Sequence, residues 1–363
     1  MAKNRIVVGL SGGVDSSVAA LLLVEQGHEV HGVFMKNWED SYEAGYCSAA
    51  EDLEDARSVC DTLDIPFHQV SFTAEYQERV FRYFLDEYRC GRTPNPDILC
   101  NTEIKFRAFL DHARRLGAWR IATGHYARLE ERDGRQHLLK GRDPDKDQSY
   151  FLHGLDQSQL ASTLFPIGDF HKQEVRDMAT RAGLVTHAKK DSTGICFIGE
   201  RPFREFLNRF LPTRPGPIRT SDGELLGEHT GLMFHTIGQR QGLGIGGRRN
   251  GSGAPWYVAS KELESNTLIV VQGHNHPALF HQRLRASQLH WVAGQPPKVP
   301  MRYQAKIRYR QRDQACELET LDTRGGATIQ FPEPQRAITP GQSIVFYLAD
   351  DCLGGGVIDT AWD

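Results

Sequence analysis

The stretch Arg5-Ile6-Val7-Val8-Gly9-Leu10-Ser11-Gly12-Gly13-Val14-Asp15-Ser16-Ser17 decides the fold. Arg5 to Leu10 is apolar and β-branched, as a buried strand is, and Val14 to Gln26 has a helical pattern. Gly27 stands where a left-handed helix cap is expected. Between strand and helix, backbone N–H groups and hydroxyls converge on a positive helix end, a geometry that binds phosphate. The loop lacks the Lys of a Walker A motif, and it lacks the Gly-x-Gly-x-x-Gly of a dinucleotide fold.

Outward from this loop the alternation continues. Glu29 to Phe34 reads as a strand, Ala49 to Leu63 as a helix and Phe67 to Ser71 as a strand, which implies a parallel sheet covered by helices. Helices are expected over Ala74 to Tyr88 and Ile104 to Leu116, then a short strand Arg120 to Ala122 running into Thr123-Gly124-His125. Ala127 to Glu131 and His137 to Lys140 read as a hairpin around Asp133-Gly134. Helical stretches are expected at Gln148 to His153 and Lys172 to Ala182.

Beyond Arg201 the texture changes to Gly and Pro punctuation with short strands at Met233 to Thr236, Trp256 to Ser260 and Thr267 to Gln272. Val299 to Tyr309, Ala315 to Thr320, Thr328 to Phe331 and Ser343 to Leu348 read as strands of a small antiparallel barrel. The expected architecture is therefore α/β: a Rossmann-like domain with a parallel sheet over 1–200, a small mixed central domain over 201–278, and a C-terminal antiparallel β-barrel over 279–363.

Composition narrows the function classes. The 363 residues are 39% hydrophobic and 25% charged, which supplies cores and excludes a disordered chain. The longest wholly apolar run, Val18 to Val24, is far below the roughly 20 residues that span a bilayer. Only Ile6 to Leu10 follow Lys3 and Arg5 before Ser11, too short for a secretory signal, so the cytoplasm is the expected location. The net charge of −3 is divided unevenly: Gly231 to Arg312 holds 12 Lys and Arg against Glu262 and Glu264. A segregated basic excess beside glycines and aromatics is the footprint of a polyanion partner, although a solvated basic face gives the same pattern.

Seven cysteines, at 47, 60, 90, 100, 196, 316 and 352, are too few for a disulfide framework, and none form Cys-x-x-Cys. Two have unusual surroundings. Cys100 ends Asn95-Pro96-Asp97-Ile98-Leu99-Cys100, a proline-stiffened approach with a carboxylate three residues before the thiol. Cys196 lies in Ser192-Thr193-Gly194-Ile195-Cys196-Phe197, a polar turn before an apolar patch. Cys47, Cys60, Cys90, Cys316 and Cys352 read as structural or incidental. His274 and His276 form a His-x-His, but Gly273 and Pro277 beside them favour a turn. No residue is assigned to a protein-bound metal, and His28, His31 and Asp40 are assigned nothing.

Ser-Gly-Gly-x-Asp-Ser is the signature of the PP-loop ATP pyrophosphatases, and the chain resembles one member family across nearly its full length, the bacterial tRNA-specific 2-thiouridylases (MnmA family). The resemblance rests on the loop, Asn95 to Asn101, Ala122-Thr123-Gly124-His125-Tyr126 and Lys146-Asp147-Gln148-Ser149-Tyr150-Phe151-Leu152. It also rests on Ser192 to Phe197, Thr236-Ile237-Gly238-Gln239-Arg240, Ile307-Arg308-Tyr309 and Pro340-Gly341-Gln342.

The resemblance implies a tRNA-uridine 2-sulfurtransferase acting on the wobble uridine of tRNAs for Lys, Glu and Gln. ATP adenylates the uridine 2-oxygen with release of pyrophosphate, and sulfur then replaces the oxygen as AMP leaves. It implies ATP contacts at Gly9, Leu10, Ser11, Gly12, Gly13, Val14, Asp15, Ser16, Met35 and Gly124, with Asp15 placing Mg²⁺. It gives Cys196 the persulfide and Cys100 the attack on it, forming a disulfide, with Asp97 as acid or base. Asn95, Pro96 and Asp97 would touch the target base, and His125, Lys146, Asp147, Gln148, Arg308, Tyr309 and Gln342 would touch tRNA. The sulfur source it implies is a cysteine desulfurase, directly or through a relay protein of the TusE type.

Three alternatives stay open at the level of sequence. Asp97, Cys100 and Cys196 could instead ligate an iron–sulfur cluster. A PP-loop ligase acting on a small metabolite would keep the loop but leave the basic segment unexplained, and a non-catalytic RNA-binding protein would leave the intact loop unexplained.

Overall fold

The computed structural model describes residues 5–38, 48–191, 203–245, 253–323 and 325–363. Its first layer is a five-stranded parallel sheet of β1 (Arg5–Leu10), β2 (Glu29–Lys36), β3 (Phe67–Ser71), β4 (Arg120–Ala122) and β7 (Thr163–Leu164), in the order β3-β2-β1-β4-β7. β1 is central, pairing Leu10 with Phe34 on one side and Val8 with Ala122 on the other. Its side chains are buried from Ile6 onward because helices cover both faces, the arrangement that makes parallel strands read as unbroken apolar runs.

The helix Val14–Glu25 leaves the carboxyl end of β1, and Gly27 follows it at φ +80°. Residues 73–89 form one helix with a π segment at Gln77–Phe81. The helix expected from Ile104 begins earlier, at Pro96, and runs through a π segment Cys100–Ala108 to Arg115. Asn95 explains that start: its side-chain oxygen accepts from the Asp97 N–H at 3.2 Å, with proline in the first turn where no N–H is needed.

The central region is a four-stranded sheet of β8 (Gly216–Thr220), β9 (Leu225–His229), β10 (Trp256–Glu262) and β11 (Thr267–Gln272), ordered β10-β11-β8-β9. The strand expected at Met233 to Thr236 is absent: Leu232–Phe234 is a 3₁₀ turn, and the Gln239 N–H then closes a second turn on the Thr236 carbonyl with Gly238 at φ +83°.

The C-terminal barrel consists of β12 (Phe280–Trp291), β13 (Met301–Lys306), β14 (Gln314–Leu321), β15 (Ala327–Arg336), β16 (Ser343–Leu348) and β17 (Asp351–Trp362). It is antiparallel and closes through β12 against β17. The strand expected over Val299 to Tyr309 is shorter than its reading, ending at Lys306, so Arg308 and Tyr309 lie in the turn that follows. The hairpin β5 (Ala127–Arg132) and β6 (Arg135–Lys140) joins this barrel, with Leu138 and Leu139 paired to Cys352 and Asp351 of β17. The barrel is thus stitched to the α/β layer by backbone hydrogen bonds as well as by packing.

Among the described residues, no helix is long and apolar enough to cross a membrane.

Candidate active site

The loop Ser11 to Ser17 lies, as expected, at the carboxyl end of β1 where the helix Val14–Glu25 begins. The Ser16 hydroxyl donates to the Gly13 carbonyl (3.1 Å) and accepts from the Ser11 N–H (3.2 Å), while Ser17 Oγ donates to the same carbonyl at 2.8 Å. Gly12 sits at φ +72°, and a Cβ there would lie 2.3 Å from the Asp52 carbonyl oxygen. A Cβ on Gly124 would lie 2.5 Å from the Ser16 nitrogen, so the β4 loop and the phosphate loop meet backbone to backbone. Gly9 faces the Met35 side chain, its Cβ position 3.0 Å from the Met35 methyl. Leu10 and Val14 point into the core, which leaves only their backbone to a ligand.

Asp15 faces a cation that sequence reasoning missed. Lys172 Nζ lies 2.8 Å from both Asp15 carboxylate oxygens and 2.7 Å from Asp191, and the Tyr126 hydroxyl donates to Asp15 at 2.7 Å. A loop without its own Lys therefore has one supplied by the first turn of the helix Lys172–Arg181. A single Lys at a helix start has no signal in sequence that separates it from a solvated face. Asp191 also holds Lys146 (2.6 Å) and Arg176 (3.0 Å). Burial alone would raise its pKa, but Lys146 and Lys172 pull it down to about 2.

Cys100 is fully buried, at the junction of the first helical turn and the π segment, within the core cluster that contains Phe81, Phe84, Phe206 and Tyr150. Asp97 and Asn95 lie on the half-exposed face of the same turn. The helix that starts with this turn carries Phe109 against the Gly9 backbone and Phe106 against the His125 ring (centroids 5.6 Å). One element therefore joins the cysteine turn to the floor of the phosphate site. Cys196 lies outside the described residues.

The residues that the resemblance assigns to tRNA are placed unevenly. His125 is buried, bonded through Nδ1 to Thr123 Oγ1 at 2.8 Å, and burial holds it well below the ordinary imidazole range. Asp147 is buried and accepts from the Gly141 and Ser149 N–H groups, with Lys306 at 3.4 Å. Gln148 accepts from the Tyr126 N–H. Arg308 donates to the carbonyls of Ile237 and Ala337 (both 2.9 Å) and to Thr339, tying the central region to the barrel. The Tyr309 ring packs on Phe151 at 4.3 Å between centroids. Gln342 donates to the Thr93 carbonyl at 2.8 Å.

Cys60, Cys316 and Cys352 are buried. Burial pushes the Cys60 and Cys316 thiols up to about 12 and raises Cys352 further. A cavity of about 520 Å³ lined by Ile6, Trp119, Arg120 and Glu131 opens at the amino ends of the strands, away from the phosphate loop and the cysteine turn.

Family descriptions match the whole length in three blocks: a tRNA methyl transferase HUP domain over 4–200, a tRNA methyl transferase PRC-barrel domain over 204–272 and an aminomethyltransferase beta-barrel domain over 281–358. Full-length relatives carry a different name. The tRNA-specific 2-thiouridylase MnmA of Pseudomonas fluorescens is 60% identical over 359 residues, covering 99% of this chain and 96% of its own. The MnmA of Nitrosomonas eutropha is 60% identical over 358 residues, covering 99% of each.

The chain belongs to the MnmA family of tRNA-specific 2-thiouridylases.

MnmA of Pseudomonas aeruginosa is similar at 58% over 363 residues, covering 99% of this chain and 96% of its own. Among solved structures, a 4-thiouridine synthetase bound to RNA and ATP overlays on 57% of this chain and 49% of its own, at 20% identity and a TM-score of 0.35, too slight a likeness to argue from. The family assignment therefore rests on full-length identity and not on overlay.

Proposed function

We propose that this protein is a tRNA-uridine 2-sulfurtransferase that uses ATP to thiolate the wobble uridine of tRNAs for Lys, Glu and Gln. The observation that carries the reading is the pairing of a phosphate loop at a helix N-terminus with a cysteine turn on a helix that touches that loop's strand at Gly9. Full-length identity to the 2-thiouridylases supports the acceptor and the sulfur chemistry.

In this reading the loop N–H groups, Ser11, Ser16 and Lys172 hold the polyphosphate, and Met35, Gly9 and Gly124 line the nucleoside side. Asp15 presents a part-exposed carboxylate, paired here with Lys172, that would hold Mg²⁺ once a polyphosphate takes the Lys172 ammonium, and a bound Mg²⁺ would neutralise phosphate charge. The uridine 2-oxygen attacks the α phosphate; an O–P bond forms and pyrophosphate leaves. The outer sulfur of a Cys196 persulfide then bonds to C2, and the C2–O bond breaks as AMP leaves. The Cys100 thiolate attacks the inner Cys196 sulfur, so the sulfur–sulfur pair electrons leave with the outer sulfur and a Cys100–Cys196 disulfide remains, which a thiol reductant reopens. Asp97, three residues before Cys100 on the same turn, serves as acid or base at the base. The sulfur arrives from a cysteine desulfurase, directly or through a TusE-type relay.

The test is sulfur incorporation into unmodified glutamate tRNA with ATP and a desulfurase, comparing wild type with Cys100→Ser and Cys196→Ser, under anaerobiosis and after aerobic purification. Thiolation by iron-free wild type, lost in both variants, is the expected result. Thiolation confined to protein that retains iron, with both variants unable to bind it, would make the cysteines cluster ligands instead.

A further inference from the structure

Three consecutive residues leading to the cysteine turn are each gripped by a different part of the molecule. The Gly91 carbonyl accepts from Lys261 Nζ of β10 at 3.0 Å, and Gly91 itself, at φ +70°, lies against the Leu263 side chain. Arg92 pairs with buried Glu87 at 2.7 Å and reaches Asp359 of β17 at 3.8 Å. Thr93 has both backbone polar groups taken by the loop between β15 and β16: its N–H donates to the Pro340 carbonyl (3.0 Å), and its carbonyl accepts from Gln342 Nε2 (2.8 Å). A Cβ on Gly341, at φ +90°, would lie 2.8 Å from the Thr93 nitrogen.

That barrel loop is itself fixed. Gly341 N–H donates to the Ile358 carbonyl, and Ile358 N–H returns to Gln342, so the grip on Thr93 is an extension of β17. Pro94 and Pro96 leave few backbone freedoms between Thr93 and the Asn95 cap. A shift of the barrel or of β10 therefore passes to Asp97 and Cys100 without a flexible link to absorb it.

We infer that Gln342 and Lys261 are positioning residues, which act through Thr93 and Gly91 to set the Asn95–Cys100 turn relative to the barrel and the central domain. The inference rests on the tRNA-thiolation reading for its effect on rate. It gives Gln342 a role beyond the direct tRNA contact the family resemblance implies, because one amide N–H is engaged on the Thr93 carbonyl. Register between an RNA held by the outer domains and the reacting groups of the first domain is worth orders of magnitude in rate, since small misplacements of reacting atoms are costly.

Gln342→Met and Lys261→Met each remove the donor and keep most of the side-chain volume; Lys261→Arg keeps a donor. In single-turnover thiolation, both Met variants are expected to lower the rate about tenfold or more while the tRNA Kd, the ATP Kd and the thermal midpoint stay at wild-type values, and Lys261→Arg to recover most of the rate. A separate readout needs no tRNA: alkylation of Cys100, followed by mass spectrometry on the full chain, is expected to speed up in both Met variants as the turn loosens. A weakened tRNA Kd with unchanged rate in Gln342→Met would overturn the inference in favour of direct contact. Unchanged rate and unchanged alkylation in both variants would overturn it outright. If wild type makes no 2-thiouridine, the functional reading fails, and the alkylation arm alone decides the positioning role.

Discussion

Lys172 shows how a residue acquires a role through placement. Its ammonium neutralises Asp15 and Asp191 together, and a polyphosphate entering the loop finds that cation already desolvated and aimed. Lys172→Met is expected to weaken ATP binding by tenfold or more, read by calorimetry, with Lys172→Arg retaining part of it; that loss corresponds to about 1.4 kcal/mol or more. Wild-type ATP affinity in Lys172→Met would remove Lys172 from the site. The phosphate loop itself was legible in the sequence because Ser11 to Ser17 are contiguous and their chemistry is backbone chemistry. Lys172 was not, since it lies 157 positions from Asp15 and nothing local to it differs from a surface lysine.

At the scale of elements, long-range packing decided what sequence could not. The Asn95-Pro96 helix start was hidden because prolines read as a loop, although proline in a first turn is a favoured start. β17 had no counterpart in the sequence reading, and its Gly354-Gly355-Gly356 sit where strands converge: Cβ atoms there would lie 2.1 to 2.7 Å from His290, Ile344 and Ser287 carbonyl oxygens. Two short elements also carry buried neutral histidines. His153, after the helix Ser149–Leu152, donates to the Tyr150 carbonyl, while neither ring nitrogen of His235 has a hydrogen-bond partner among the described residues; burial lowers both to about 4.

The sign of the resulting pH dependence follows. The unfolded chain takes up protons on these rings as pH falls below about 6.5 while the folded rings stay neutral, so stability present above that pH is lost progressively down to about 4. Each ring accounts for roughly 3 kcal/mol at most. Urea unfolding at pH 7, 5.5 and 4.5 is expected to show this decline, and His235→Phe to flatten it. An unchanged slope in that variant would count against His235 as a source.

At the scale of the whole molecule, direct hydrogen bonds join the central region, the barrel and the α/β layer. Arg308 bonds the central region to the barrel, β6 pairs with β17, and Gln342 reaches Thr93, on the approach to the cysteine turn, from 249 positions away. The sequence made the three-part order legible through its changes of texture, but not these joints, each of which depends on partners distant in the chain. In the proposed reading one helix carries Cys100 after its first turn and Phe109 against Gly9 of the loop's strand, so adenylation and thiolation should be one coupled turnover of a single acceptor. The most direct measurement of that claim is the ratio of AMP formed to 2-thiouridine formed on an anticodon-bearing glutamate tRNA, in the presence of a sulfur donor. The account predicts equal amounts of the two and negligible AMP without tRNA. AMP and pyrophosphate formed equally well without tRNA, or 2-thiouridine formed without ATP, would contradict it.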